Sequence, residues 1–393
     1  MLGCPFILYC VNGCHHVQTI MCPLLSLLST TANCTPTIPP LPQKDMAGQT
    51  AAFNQRMGLA APYAAASQQF LRSAASLSSA IFLRQAADSH PYFVNWMSGT
   101  RKVAGDNPWT TYHSTLFDSR NDYLITGNLG AAEYVGFQVY GMRDGRNIAL
   151  AQQNRSSNTM QIDCRGNFTL RLSPKPLSGE GDSITTTPED YMLIVREYYQ
   201  NGQQKLHNPA RYRIQRLSGE AQPPIPDARQ RVALADAFYR SLVLSSLDIA
   251  EKMAQVRNSN QEVEVDRRLS DALYPTTDNR YNGVYVTLPD DDSVIRISGT
   301  LPRDATYISV VFYTPYYITP DYRNARTYLT GKEILQQADG HYQINLTRQP
   351  RDLPNNLTSA GYDQGIVAIR YLGSQSYPEF EVQRLSHADA QKP

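Results

Sequence analysis

The sequence predicts a mainly β protein (α+β) with two homologous β-sandwich domains of jelly-roll type, each preceded by a helical segment. Two observations predict this fold class. Short runs of alternating apolar and polar residues are separated by clusters of Gly, Asn, Asp and Pro, as in strands joined by turns. The same order of helix and strands also occurs twice, and a chain of 393 residues has room for two or three domains. No helical pattern fits between successive strands, which disfavours an open parallel α/β fold.

The first repeat is predicted to begin with a helical segment at residues 51–87. Phe70, Leu77 and Ile81 recur there on one face of a helix. Pro91 ends the segment, since proline disfavours helical geometry in the residue before it. Beyond this proline the apolar period changes to two, the period of a strand. Strands are predicted at residues 123–127, 134–140, 160–163, 168–172 and 192–199.

The second repeat follows the same order at offsets of 168–174 residues. Phe238 starts a helix 168 residues after Phe70, and residues 307–313 correspond to the strand at 134–140. Both repeats end with a strand, a polar turn and a second strand that closes in Gln-Arg-Leu. Offsets that change so little along a whole domain indicate an internal duplication, with loops absorbing the insertions.

The first 45 residues differ from the rest of the chain. They contain five of the six cysteines, and their first basic residue is Lys44. Because no basic residue precedes the short apolar run, no secretory signal is predicted, and 1–45 is interpreted as a disordered leader or an upstream extension. We expect a protein starting at Met46 to keep its melting temperature. A Pro-rich linker at 219–227 separates the predicted domains at 46–220 and 221–393.

Charge and motifs disfavour several classes of function. The net charge of +1 gives no field that would attract nucleic acid. No apolar run reaches the roughly 18 residues of a transmembrane helix, so no membrane insertion and a cytoplasmic location are expected. Nucleotide-binding, serine-hydrolase and zinc-protease motifs are absent, so no cofactor is predicted. Cys10, Cys14, His15 and His16 lack a second ligand pair at zinc-site spacing, so no metal site is predicted.

Two arginines stand inside apolar strands at equivalent places in the repeats. Arg196 shares a strand face with Tyr198, and Arg370 occupies the matching place in the second repeat. An unpaired buried charge is costly, so each guanidinium needs an acceptor. The favoured interpretation is a clamp on a carboxylate or carbonyl within the protein, whose loss would cost about 3–5 kcal/mol at either position. The alternative is an anchor for a carboxylate or sulfate group of a ligand.

The segment before the first strand carries a second group of candidates. Asp106 and Asn107 precede a proline, and Tyr112 and His113 follow shortly after. The favoured interpretation is that Asp106 and Asn107 cap a turn. Alternatively, Asp106 and His113 form a general acid–base pair if the loop folds back, since His titrates near neutral pH. Asn107 and Tyr112 would then contact the ligand.

Aromatic and polar loop residues complete the candidate ligand-binding set. Tyr313 and Tyr317 lie around a Tyr-rich loop that could stack on a flat or apolar ligand, or could form ordinary Tyr-rich surface. Tyr140 ends a predicted strand and would line a pocket with Arg196. Asn355 lies in a polar loop before the last pair of strands, where turn formation is the favoured role.

Several segments carry a family resemblance when taken together: residues 105–108 (GDNP), 193–199 (LIVREYY), 337–340 (QADG) and 359–366 (SAGYDQGI). Their order and spacing resemble those in an uncharacterised bacterial family known as domain of unknown function 1214. The resemblance covers about residues 70–385 and implies a largely β fold, but no chemistry. Members tend to have Asn-Pro-Asp where this chain has Asn107-Pro108-Trp109, and Pro-Asn-Trp where it has Pro-Asn-Asn at 354–356. If those Asp and Trp side chains line a site in the family, the resemblance implies that this chain has a different ligand or has lost the activity.

Two functions remain open from the sequence. In the first, the protein binds a small amphipathic organic molecule in a cleft, with or without transforming it by cofactor-free acid–base chemistry. In the second, it is a non-catalytic structural or protein-interaction module. A pocket lined by Asp106, His113, Tyr140 and Arg196 would favour the first function. A flat, exposed Tyr-rich patch would favour the second. A homo-oligomer is compatible with either function.

Overall fold

The computed structural model describes residues 43–178, 181–219, 221–261, 263–376 and 378–392. The leader predicted at 1–45 lies outside the described residues, except for its last three positions, which already belong to a helix. That helix begins at Gln43, eight residues before the start predicted from the apolar period. Met46 is buried in it, and Asp45 forms an ion pair with Arg240.

The single helical segment predicted at 51–87 is divided in two. Gly58, with a φ of +65°, ends the first helix in the left-handed conformation that favours glycine, and Pro62 precedes the second. The second continues as a π turn at Ser79–Arg84 and a 3-10 turn at Gln85–Ala87. The helices among the described residues are α1 Gln43–Met57, α2 Tyr63–Ser78, α3 Gly202–His207, α4 Ala228–Met253, α5 Arg267–Asp271 and α6 His387–Ala390.

The first sandwich consists of two mainly antiparallel sheets. Its strands are β1 Val94–Asn95, β2 Thr110–Leu116, β3 Tyr123–Asn128, β4 Tyr134–Arg143, β5 Arg146–Ser156, β6 Asn167–Ser173, β7 Asp182–Thr185, β8 Asp190–Tyr198 and β9 Arg211–Arg216. One sheet has the order β1-β2-β8-β4-β5 and the other β7-β6-β3-β9. Alternating apolar residues such as Phe137 on β4 and Leu170 on β6 fill the space between the two sheets.

The second sandwich repeats this arrangement. Its strands are β10 Asn279–Thr287, β11 Ser293–Thr300, β12 Tyr307–Tyr313, β13 Tyr328–Thr330, β14 His341–Thr347, β15 Asn356–Thr358, β16 Gln364–Leu372 and β17 Phe380–Ser386. The sheet orders are β10-β16-β12-β13 and β15-β14-β11-β17. Apart from β1, every strand of the first sandwich has a counterpart numbered eight higher, in the same place. The parallel pairs correspond as well, β6 with β7 and β14 with β15.

The predicted mainly β fold class with two sandwiches and added helices is therefore confirmed. The prediction of a strand at 160–163 is wrong, because these residues lie outside any strand, between turns at 157–159 and 164–165. The carboxylate of Asp163 accepts hydrogen bonds from the backbone N–H groups of Arg165 and Asn167, and Met160 N–H donates to the Ser156 carbonyl. Local side-chain bonds of this kind compete with strand pairing.

The helices form a layer shared by the two sandwiches. Phe70 of α2 and Tyr239 of α4 belong to one apolar core together with Tyr112 and Ile194 of the first sandwich and Ile366 of the second. The outer faces of the sheets that contain β8 and β16 thus pack against common helices. The described residues make up one compact unit. The candidate site lies in this shared region.

Candidate ligand-binding site

One cavity of about 1690 Å³ is lined by both repeats and by the loops between strands and helices. Small-molecule sites commonly occupy ~300–1,000 Å³, so this cavity has room for a ligand of that class. Trp96 contributes part of the apolar lining. We call six lining tyrosines the tyrosine wall: Tyr112, Tyr198, Tyr274, Tyr281, Tyr285 and Tyr317.

The solvent-exposed end of the same cavity is polar. Its side chains come from the segment after α4 and from strands β11, β14 and β17. They are Asn260, Gln261, Glu264, Arg296, Gln343 and Gln383. Aromatic and polar surfaces therefore meet in one cavity, which suits an amphipathic ligand.

Arg196 reaches the cavity because of its register in β8. It stands directly between Tyr112 of β2 and Gly136 of β4, and residues paired in this way share a sheet face. Its side chain is nearly buried, and its Nη2 donates a hydrogen bond to the carbonyl of Tyr274. The guanidinium carbon lies 5.8 Å from the centre of the Tyr140 ring. This ring and the Tyr274 carbonyl hold Arg196 in the cavity wall.

Arg370 occupies the equivalent place in β16. It stands between Tyr281 of β10 and Ser309 of β12. Its Nη1 donates to the hydroxyl of Tyr313 and its Nη2 to the carbonyl of Gly105, both at 2.5 Å. Its guanidinium carbon lies 5.5 Å from the Tyr313 ring centre and 5.7 Å from that of Tyr281. Arg370 therefore clamps a carbonyl of the other repeat and also lines the cavity.

The two arginines act on the same tyrosines. Burial raises the pKa of Tyr112 and of Tyr281, and the guanidiniums of both Arg370 and Arg196 work against that rise at each tyrosine. Each hydroxyl is thus protonated at neutral pH and lies within the field of both cations. Arg196 and Arg370 consequently share one tyrosine-lined space.

Neither arginine forms an ion pair with a carboxylate among the described residues. Their hydrogen bonds go to carbonyl and hydroxyl oxygens. The field of Asp106 extends to Arg370, but Asp106 is occupied elsewhere. A guanidinium has more N–H donors than these few bonds use. The cavity wall therefore contains two guanidinium cations that no carboxylate of the described residues contacts.

The predicted acid–base pair of Asp106 and His113 is not formed. Asp106 accepts a 2.9 Å hydrogen bond from the backbone N–H of Thr319 and another from its hydroxyl. Burial raises the pKa of Asp106, and the charge of Lys102 partly opposes this. His113 follows Tyr112 in β2, so its side chain lies on the opposite face of the sheet from the arginines. Neither Asp106 nor His113 lines the cavity.

His113 belongs instead to a buried network inside the first sandwich. Its Nδ1 lies 3.2 Å from Oε1 of Glu197. The hydroxyls of Tyr199 and Tyr212 each donate to the same carboxylate at 2.6 Å. Burial would raise the pKa of Glu197, but these hydrogen bonds outweigh it and the pKa is lowered. The network satisfies a buried charge and is separated from the cavity by the sheet.

Two predicted ligand-binding asparagines have structural partners. Asn107 donates a 2.9 Å hydrogen bond to the hydroxyl of Ser309, which joins the two repeats. Asn355 has a φ of +48° and donates to the carbonyls of Leu335 and Gln343 at 2.8 and 2.9 Å. These amides therefore hold distant segments of the chain together, and neither Asn107 nor Asn355 lines the cavity.

The predicted tyrosines and arginines come together at the cavity. Tyr198 and Tyr317 line it, and Tyr313 lies behind Arg370. Tyr140 supports the wall from behind, since its hydroxyl donates to the Tyr274 carbonyl at 3.1 Å.

Sequence reasoning missed Trp96, Tyr274, Tyr281, Tyr285 and Gly105. A usable signal existed for Tyr281, which pairs with Arg370 as Tyr112 pairs with Arg196. Trp96 and Tyr274 lie outside the periodic strands, so no alternation pattern marks them.

In the described part of the chain, no group of three or more His, Cys, Asp or Glu side chains could hold a metal ion. None of the helices described is long and apolar enough to cross a membrane.

No protein-family model matches this chain, and no curated protein does. Among solved structures, it is similar to an uncharacterised protein from Burkholderia cenocepacia, with a TM-score of 0.76 and 19% identity over 88% of this chain and 96% of that one. The VPA0106 protein from Vibrio parahaemolyticus matches 80% of this chain and 98% of its own at 12% identity, but its TM-score of 0.44 is too low to support an argument. The first likeness shows that this chain shares the fold of the Burkholderia protein.

Proposed function

We propose that the protein binds a small amphipathic organic molecule in the cavity lined by both repeats. The observation that carries this proposal is the cavity of about 1690 Å³ in which the tyrosine wall, two buried arginines and an exposed polar end meet. Tyrosine rings offer apolar faces and a polar edge, so such a lining suits a molecule with both kinds of surface.

The proposal is limited to binding. Acid–base chemistry was predicted to depend on Asp106 and His113, and both lie outside the cavity with partners of their own. The role of an interaction module has less support, because the Tyr-rich loop expected to form a flat patch is drawn inward. Tyr313 is buried and Tyr317 lines the cavity.

We also propose that the two jelly-roll-like sandwiches arose by internal duplication, which the matching strand orders support. A distant relationship to domain of unknown function 1214 is likewise proposed on the segments named above.

The two tryptophans provide a direct test of binding in the cavity. Trp96 lines it, whereas Trp109 packs against Tyr322 and Tyr328 with ring centres 6.1 and 5.4 Å away. The Trp109→Phe variant should therefore report cavity occupancy through Trp96 emission alone. Amphipathic compounds are first screened by thermal shift, where a ligand at about a hundred times its Kd adds about 2.7 kcal/mol of stability.

We expect stabilising compounds to change the emission of Trp109→Phe protein in a saturable way. The matched variant Trp96→Phe, which keeps only Trp109, should bind the same compounds with little change in emission. Stabilising compounds that leave Trp96 emission untouched would place binding elsewhere. A broad amphipathic library without any binder would refute the proposal.

A further inference from the structure

We infer that the ligand is an amphipathic organic acid whose anionic group is held between Arg196 and Arg370; this deepens the proposed binding function and rests on it. The two side chains are only 7% and 4% exposed, and both line the cavity. Burying an ion without a counter-ion costs free energy. Neither arginine forms an ion pair within the described residues. The cavity thus has the charge that an anion would neutralise.

The surrounding tyrosines do not supply the missing negative charge. Burial raises the pKa of Tyr112, Tyr281 and Tyr317, so these hydroxyls remain protonated at neutral pH. Neutral hydroxyls do not neutralise a guanidinium. Asp106, whose field reaches Arg370, is bonded to Thr319, so no carboxylate among the described residues contacts either guanidinium.

The geometry favours one shared anion over two separate ones. The fields of both guanidiniums reach Tyr112 and also reach Tyr281, so an anion beside these hydroxyls is attracted by both cations. The strand registers place each tyrosine directly opposite one arginine, Tyr112 opposite Arg196 and Tyr281 opposite Arg370. Planar guanidinium donors match the oxygens of a carboxylate or a phosphate.

The rest of the cavity indicates the body of the ligand. Trp96 and Tyr274 pack edge to face with ring centres 5.3 Å apart, and Ile366 continues the apolar lining. Such rings favour an aromatic or unsaturated apolar body. Carboxylates and phosphate monoesters share the required head-group chemistry, so the test includes both.

The first experiment compares acids with neutral isosteres in the Trp109→Phe protein. The probes are a panel of aryl and alkyl carboxylates and phosphate monoesters, each carboxylate paired with its primary amide, such as 3-phenylpropanoate with 3-phenylpropanamide. We expect each acid to bind at least about tenfold more tightly than its amide, because a hydrogen bond to a charged group stabilises more than one between neutral groups. The relative affinities of carboxylates and phosphates identify the head group.

Amides that bind as tightly as their acids would overturn the anion inference and leave the proposed binding function standing. The same conclusion follows if only neutral amphiphiles bind. Absence of binding by acids, phosphates and neutral compounds alike would overturn both.

The second experiment changes Arg196, whose removal leaves its carbonyl partner bonded to Tyr140. Arg196→Gln should weaken the tightest acid about ten- to a hundredfold and leave its amide unaffected. Arg196→Lys should recover part of the affinity, because it restores the charge without the planar fork of donors. Arg143→Gln, at the exposed end of β4, is the matched control and should bind as the unmodified protein does.

Equal acid affinity in folded Arg196→Gln and Arg143→Gln proteins would overturn the role given to Arg196. If Arg196→Gln fails to fold, the ratio of acid to amide affinity in the Trp109→Phe protein decides the inference.

Discussion

The two central arginines have unequal structural duties, although the sequence places them at equivalent positions. Arg370 bonds the Tyr313 hydroxyl and the Gly105 carbonyl of the first repeat, whereas Arg196 makes a single bond across to the second repeat. Arg196 bonds the Tyr274 carbonyl, which also accepts a hydrogen bond from Tyr140. The clamp favoured from the sequence therefore describes Arg370 better than Arg196.

This difference predicts different stabilities for two matched variants. Arg370→Met should lower the free energy of unfolding by about 1–3 kcal/mol, because the buried Gly105 carbonyl keeps only a long 3.3 Å hydrogen bond from the Tyr313 hydroxyl, which itself loses a donor. Arg196→Met should change it by less than about 1 kcal/mol, because a buried charge is removed and the Tyr274 carbonyl keeps a partner. Urea unfolding followed by circular dichroism measures both. Equal losses, or a larger loss in Arg196→Met, would contradict this division of roles.

The arginines could be identified from the sequence because a charged side chain inside an apolar strand needs a hydrogen-bond acceptor or a counter-ion. Tyr281 could have been found by carrying the Tyr112–Arg196 pairing into the second repeat. Trp96 and Tyr274 could not, since they reach the cavity only through the packing of helices and loops against both sandwiches. Asp106 and His113 were paired by their proximity in sequence, but Asp106 lies before β2 and bonds Thr319, whereas His113 faces Glu197 inside the first sandwich.

The segment at residues 102–107 contributes Ala104 and Gly105 to the cavity wall. It belongs to the first repeat but bonds the second. Lys102 Nζ donates to the carbonyl of Thr319 at 2.9 Å, and Gly105 N–H donates to the carbonyl of Tyr317 at 2.8 Å. The Gly105 carbonyl in turn positions Arg370. Close backbone approach at Gly105 therefore fixes both the segment and the arginine.

We expect Gly105→Ala to be strongly destabilising. Its φ is +71°, and a Cβ would lie 2.6 Å from a ring carbon of Tyr317 and 3.0 Å from Nη2 of Arg370. Gly145→Ala is the control, because φ there is +70° but no heavy atom lies within 4 Å of the added Cβ. Both variants bear the left-handed penalty of about 1–2 kcal/mol, and overpacking should cost Gly105→Ala about 1–3 kcal/mol more. Thermal unfolding that shows equal losses would mean that Gly105 has room for a side chain.

Strand prediction succeeded for mostly apolar runs bounded by turn residues, as in β4, β12 and β16, where nearly every residue is buried. It missed β5, because most of that strand is only half-buried and its polar residues break the alternation. The turn before β5 uses Asp144 and Gly145, both with positive φ, which is a hairpin signal that the search for apolar periods does not register. At 160–163 the opposite error occurred, and a strand was predicted where none exists. The pattern of apolar residues does not register the local hydrogen bonds that the Asp163 carboxylate accepts.

Across the whole molecule, three large apolar cores hold the described residues together. Two fill the sandwiches, and the third joins the helices to both of them. Ties such as Tyr140 to Tyr274 and Arg146 to Asp271 add polar contacts between residues far apart in sequence. A repeat read from the sequence predicts two similar sandwiches, but the extent of their shared core depends on helix packing that no strand pattern encodes.

This shared core predicts that the two sandwiches unfold together. Leu170 of β6 and Ile344 of β14 are fully buried and stand opposite Ile125 and Ile297 at matching positions of the two sandwiches. Replacing either by Ala should cost about 2–5 kcal/mol. In the Trp109→Phe protein, the remaining tryptophan fluorescence comes from Trp96. This residue belongs to the first repeat and packs in the shared core.

Urea unfolding is then followed by Trp96 fluorescence and by far-ultraviolet circular dichroism. Because the shared core couples the sandwiches, Ile344→Ala should move the Trp96 midpoint as far as Leu170→Ala does, and the two signals should coincide in each variant. Independent sandwiches would behave differently. Ile344→Ala would then give two transitions in the circular dichroism curve and leave the Trp96 midpoint unchanged from the Trp109→Phe parent. That result would mean that the cavity forms between two units that fold separately and dock afterwards.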